Sequence, residues 1–150
     1  MSIATNKKAY YEYEILEKFT AGMVLTGPEV KSVKSGRVDL KGSFASLDHG
    51  EVWLKQSYIA PYARAKGQQI NYDPQQDRKL LLTAKEITSL IGKTSAKGVT
   101  LVPLKVFNQK GLIKLELGLG RGKKKVDKRE SIKQREFARK KSQMLKSNKY

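Results

Sequence analysis

A mainly β domain with added helices, followed by a basic extension, is the fold class this sequence predicts. Three observations carry the prediction. Short stretches with period-two alternation recur between turn residues, as where Ile113, Leu115, Leu117 and Leu119 are set against Lys114, Glu116 and Gly118. Two short segments carry helix signals instead. The charge is also unevenly spread. Residues 121–150 hold thirteen Lys or Arg against three acidic residues, a net of +10, while residues 1–120 hold eighteen against eleven, a net of +7.

Taken in order, residues 1–9 read as a short basic arm. Tyr11, Tyr13 and Ile15 alternate with Glu12 and Glu14 as a half-buried strand, and Ala21 to Thr26 reads as a second extended segment. Gly27-Pro28-Glu29 opens a helix that Gly36 closes. Proline suits the first turn, where no amide hydrogen is needed, and a carboxylate there is favoured by the helix dipole. Ser43–Leu47 and Glu51–Lys55 flank the turn signal Asp48-His49-Gly50, and Ser57–Tyr62 extends further. Residues 63–78 read as a long polar loop. Thr83 and Glu86 form a T-x-x-E capping box, Leu82 and Ile87 are placed as a hydrophobic staple, and Gly92 is expected to end that helix. Thr100–Phe107 and Leu112–Leu119 complete a set of about six short strands, which predicts a small barrel or sandwich, and for a basic domain of this size a closed barrel of the OB type is expected over residues 1–122.

Residues 123–150 form the second predicted unit. Asp127-x-x-Glu130 and Ser131-x-x-Gln134 are helix-start signatures, and a helix over 131–147 would place Arg135, Arg139 and Lys146 on one face. An isolated helix of this size is marginal in water, so the tail is expected to be disordered alone and helical when bound. A run such as Gly122-Lys123-Lys124-Lys125-Val126-Asp127-Lys128-Arg129 needs water or a polyanion around it, because desolvating each ammonium is costly. Nucleic acid is the obvious polyanion, since each neutralised phosphate releases a condensed counterion. The thin apolar sector of Phe137, Met144 and Leu145 is interrupted by Lys141, which argues against a membrane helix.

Enzymatic readings find little support. The one histidine, His49, sits in a turn, and there is no cysteine, so neither a metal site, a thiol nucleophile nor a cofactor is expected. Gly118-Leu119-Gly120-Arg121-Gly122-Lys123 fails the phosphate-loop spacing, because Lys124 stands where the hydroxyl residue belongs. A hydrolase would need a general acid and base, and no such cluster is legible. A constitutive ribonucleoprotein component is the other reading that composition allows. The absence of cysteine and of an N-terminal apolar stretch fits the cytoplasm. RNA-binding chemistry is plentiful: Lys31, Lys34, Arg37 and Lys41 cluster near the first helix, Arg78 and Lys79 follow the long loop, and several tyrosines offer stacking faces.

Four ordered blocks carry a resemblance. They are Gly27-Pro28-Glu29-Val30-Lys31-Ser32-Val33-Lys34-Ser35-Gly36; Asp73-Pro74 with Arg78-Lys79-Leu80-Leu81-Leu82; Gly98-Val99-Thr100-Leu101-Val102-Pro103-Leu104; and Gly122-Lys123-Lys124 with Asp127-Lys128-Arg129-Glu130, Ile132-Lys133 and Arg135-Glu136. Together they resemble the small protein B (SmpB) family of SsrA-binding proteins over roughly residues 6–145. The resemblance implies an OB-fold barrel with added helices. It also implies a monomeric, non-enzymatic adaptor that binds the tRNA-like domain of transfer-messenger RNA (tmRNA). Protein and RNA together would mimic a tRNA and enter the A site of a stalled ribosome. Trans-translation would then tag the nascent peptide for proteolysis and release the ribosome.

Residue roles follow from the same resemblance. Glu29 matches the family's acidic position needed for tmRNA binding, and its replacement by Ala is expected to weaken binding while leaving the thermal midpoint nearly unchanged. Asn6, Lys7, Lys8, Tyr11, Lys31, Lys34, Arg78 and Lys79 are implied at the tmRNA contact. Lys123, Lys124, Asp127, Lys128 and Arg129 would lie near the decoding centre and 16S rRNA, while Lys133, Arg135 and Arg139 would line the small-subunit mRNA channel. Three positions depart from the family pattern. Val126, which cannot stack on a base, stands where His or Tyr is usual; Tyr11 stands where His is common; and Gln76 replaces a frequent Arg, removing one expected phosphate contact.

Overall fold

The computed structural model describes residues 2–62 and 71–123 together with Arg139. Nine strands and three helices are found among these residues: β1 (Ser2–Thr5), α1 (Lys7–Glu12), β2 (Tyr13–Met23), α2 (Gly27–Lys34), β3 (Val38–Asp39), β4 (Phe44–Asp48), β5 (Glu51–Lys55), β6 (Tyr58–Ile59), β7 (Arg78–Leu81), α3 (Ala84–Thr94), β8 (Val99–Gln109) and β9 (Leu112–Gly122). Seven strands form one antiparallel sheet in the order β1-β8-β9-β2-β7-β5-β4, and β3 and β6 form a separate pair.

The expected closed barrel is corrected here. The sheet curls until β4 comes near β8, yet no ladder joins them, so the sheet is open and β1 and β4 are its edges. The long strands explain the curl. β2 carries a register shift between Ile15 and Glu17, and β8 one between Pro103 and Lys105. Each adds local twist and breaks the simple alternation.

Two tight turns set the sheet's registers. Asp48 pairs with Glu51, leaving His49 (φ 51°) and Gly50 (φ 76°) as the loop, and Gln109 pairs with Leu112 around Lys110 (φ 51°) and Gly111 (φ 84°). Two successive residues with positive φ match the right-handed strand twist, which is why glycine holds the second position.

The core lies inside the curl. Val52, Leu54, Leu80, Val106, Leu115 and Leu117 meet Val33 of α2 and Leu90 of α3 there, all fully buried or nearly so. A smaller cluster lies beneath α1, where Ala9 packs with Val102, Leu104, Tyr13 and Ile15. Two glycines make that approach possible. A Cβ on Gly118 would come within 2.8 Å of Leu104 Cδ1, and one on Gly120 within 3.1 Å of Tyr13 Cβ.

Both longer helices start from capping boxes, Thr26 with Glu29 and Thr83 with Glu86. α3 runs through Gly92 to Thr94, so that glycine does not end it as expected. The supposed N-terminal arm is β1 and α1, and the region from Tyr13 to Met23 is one strand.

Candidate nucleic-acid interface

The polar centre of the molecule is a buried ion pair between Glu29 of α2 and Arg78 of β7, whose side chains are 2% and 1% exposed. Sequence patterning explains both positions. The capping box turns Glu29 back over the first turn of α2, where its Oε1 accepts from the Thr26 amide at 3.0 Å. On β7, alternation puts Arg78 and Leu80 on the inner side and Lys79 on the outer.

Arg78 donates to Glu29 Oε2 from Nε at 2.9 Å and from Nη2 at 2.7 Å. Its Nη1 donates to the Ser57 carbonyl at 2.8 Å and to Ser57 Oγ at 3.1 Å, and Nη2 also reaches the Pro74 carbonyl at 3.0 Å. Gln76 Nε2 donates to Glu29 Oε2 at 3.1 Å. Tyr72 Oη lies 3.1 Å from Glu29 Oε2 and 3.0 Å from the Ile59 carbonyl, and accepts from Arg78 Nη2 at 3.0 Å. Four segments are thereby held together: α2, β7, the 71–77 loop and the stretch around β6.

Titration follows from this geometry. Burial pushes the Glu29 carboxyl up, but the Thr26 amide and the Arg78 guanidinium together outweigh it, and the carboxyl sits below its usual value. Burial, and then the adjacent carboxylate, pushes the Tyr72 phenol up to about 12.

Neither Glu29 nor Arg78 offers a polar atom to an outside ligand, so the expectation that Arg78 meets RNA phosphates directly does not fit its place in the fold. Asn6 is likewise engaged. It is 8% exposed, caps α1 by accepting from the Ala9 amide at 3.4 Å, and donates to the Pro103 carbonyl at 2.9 Å.

Two groups of accessible cations flank the β3–β6 pair. Lys7 and Lys8 of α1 line a hollow with Lys41 and Asp39. Asp39 also lines a second hollow with Arg37 and Tyr58. Lys31 and Lys34 project from α2 into solvent, and Lys31 Nζ lies 5.7 Å from the centre of the Tyr62 ring. Tyr11 is half-buried on α1. Lys79 stands apart on the outer face of the sheet, 3.6 Å from Glu51.

Sequence reasoning missed Ser57 as a partner of Arg78, and Tyr72 and Gln76 as partners of Glu29. Gln76, read as a lost phosphate contact, instead serves the buried network. Lys123 is half-buried, and its backbone amide donates to the Glu12 carbonyl at 2.9 Å, tying the end of β9 to the end of α1. Arg139 is exposed. Lys124, Val126, Asp127, Lys128, Arg129, Lys133 and Arg135 lie outside the described residues. Among the described residues no cluster of His, Cys, Asp or Glu could hold a metal ion, and no helix is long and apolar enough to cross a membrane.

Exposed lysines and aromatic rings on a curled β-sheet and its helices, around a buried ion pair, define a small protein suited to holding a polyanion. Comparison with known proteins narrows that class. The family profile described as "SmpB protein" matches residues 3–147. The SsrA-binding protein of Geobacillus kaustophilus is 52% identical over 137 residues, covering 91% of this chain and 87% of that protein. That of Acaryochloris marina is 50% identical over 144 residues, covering 96% and 93%. A solved structure described as "tmRNA-SmpB: a journey to the center of the bacterial ribosome" superposes with a TM-score of 0.65 at 50% identity, covering 81% of this chain and 84% of that one. The chain belongs to the SmpB family.

Proposed function

We propose that this protein binds tmRNA and delivers it to the A site of stalled ribosomes, so that trans-translation tags the unfinished peptide for proteolysis and frees the ribosome. The observation that carries this reading is the family match across residues 3–147, which takes in the globule and most of the cationic tail alike. In this reading the globule is residues 1–122, an OB-like tmRNA-binding domain, and residues 123–150 reach the ribosome.

The geometry suggests how labour divides within the globule. Lys7, Lys8, Lys31 and Lys34 are exposed and contact phosphates or sugars; folded RNA is read largely through shape, 2′-hydroxyls and phosphates. Tyr11 supports the α1 side of that surface, and Lys79 adds a cation on the outer sheet face. Glu29, Arg78 and Asn6 act through position: the buried pair fixes α2 against β7, and Asn6 fixes the start of α1. The tail is disordered alone and helical when bound. Lys123, Lys124, Asp127, Lys128 and Arg129 meet the decoding centre and 16S rRNA, and Lys133, Arg135 and Arg139 follow the empty mRNA channel. The protein works as a monomer in the cytoplasm, as an adaptor and not an enzyme.

Sequencing the RNA that co-purifies from native extract, washed over a salt series, tests the reading. tmRNA should be retained to higher salt than bulk tRNA; equal retention of both would refute it.

A further inference from the structure

β8 pairs with β9 along its length but with β1 only from Lys105 to Phe107. The other edge of residues 99–103 therefore has no strand partner among the described residues, although β4 comes close. An unpartnered strand edge presents amide and carbonyl groups in a row. Within residues 99–103 the Pro103 carbonyl is taken by Asn6 Nδ2 and the Val99 amide donates to the Ala96 carbonyl at 3.2 Å, and Pro103 has no amide hydrogen, so the groups left for a ligand lie between these two residues.

A cleft opens at this seam. Thr100, Val102 and Pro103 line it on one side, Phe44 at the start of β4 on another, and Tyr13 and Lys8 at the end nearest α1. Phe44 is 43% exposed, although it begins a core-building hairpin. Its ring thus offers a face that packing within the chain leaves open. Lys8 also borders the hollow that holds Lys7 and Lys41, so cations lie immediately beside the cleft. Glu12, which lines the same cleft 3.7 Å from Lys8 Nζ, disfavours a phosphate inside it and can accept from the N–H edge of a base.

We infer that this seam captures one unpaired nucleobase of the bound RNA, stacked on Phe44 and hydrogen-bonded to the free edge of β8, with the flanking phosphates held by Lys8, Lys7 and Lys41. A π-face, hydrogen-bonding groups for a base edge and adjacent cations are the three components that single-strand recognition uses. The inference rests on the RNA-binding function proposed above and specifies where an unstacked nucleotide docks.

The test compares the full chain with Phe44→Leu, which keeps apolar volume but removes the π-face, and with Phe44→Trp. Affinity for folded tmRNA is measured at fixed salt beside the thermal midpoint. Ultraviolet cross-linking of the unaltered complex, read by mass spectrometry, reports the contacted residues. Phe44→Leu should weaken binding by about five-fold or more with an unchanged midpoint, Phe44→Trp should bind as well as the parent, and a nucleotide adduct should map to Phe44 or Tyr13. Parent-like binding by Phe44→Leu, or adducts confined to other segments, overturns the seam site while leaving the function intact. A parent chain that does not prefer tmRNA overturns the function, and the seam site with it.

Discussion

Glu29 is buried in an ion pair, so its part in the proposed function is one of position. Its carboxylate is enclosed with Arg78, Tyr72 and Gln76, so Glu29→Ala would strand a buried guanidinium. Removing one partner of such a pair typically costs about 3–5 kcal/mol. The expectation of an unchanged thermal midpoint is therefore revised: the midpoint should drop by about 10 °C or more, measured by circular dichroism. Because the folded carboxyl titrates below its usual value of 4.5, its contribution to stability is complete above that pH and fades as the pH falls through the folded pKa. Urea midpoints between pH 6 and pH 3 should thus slope less steeply in Glu29→Gln than in the parent. Lys31 makes a contrasting case. It is exposed, so Lys31→Ala should leave the midpoint nearly alone while lowering the salt slope of tmRNA binding by about one, as expected for a single phosphate contact. The sequence placed Glu29 and Lys31 on one helix but could not separate their roles. The partner that buries Glu29 lies 49 positions away, and nothing local to either residue encodes that meeting.

At the scale of elements, local chemistry decided what could be read. α2, α3 and both tight hairpins were legible because capping boxes and turn residues act over a few positions. α1 was missed because it spans six residues, too short for a periodic pattern, and its one signal was Asn6 at the cap. β7 was hidden because a buried arginine at its first position reads as loop surface. The closed barrel was overcalled, because alternation reports that a strand has two faces and not whether the last strand finds the first. The α1 packing yields its own prediction. Gly118→Ala sets a methyl group 2.8 Å from Leu104 Cδ1, tighter than normal contact. Overpacking of this kind costs about 1–3 kcal/mol, so a lower urea midpoint is expected, whereas Gly27→Ala, with open space around it, should cost less.

For the whole molecule, the uneven charge predicts separable activities. Ending the chain after Lys123 keeps the hydrogen bond from its amide to the Glu12 carbonyl and the folded globule. Such a truncation should bind tmRNA within about two-fold of the parent at physiological salt, yet support no peptide tagging in a reconstituted translation assay with truncated message. Affinity falling with tagging would refute the division. The bond from Lys123 to Glu12 has one more consequence. It fixes the point from which everything downstream is measured. Arg139 lies 16 residues beyond that origin, a span of about 24 Å if helical and at most about 55 Å if stretched. Under the proposed function, spacer residues inserted after Lys123 would displace each downstream cation from that anchor by a calculable distance.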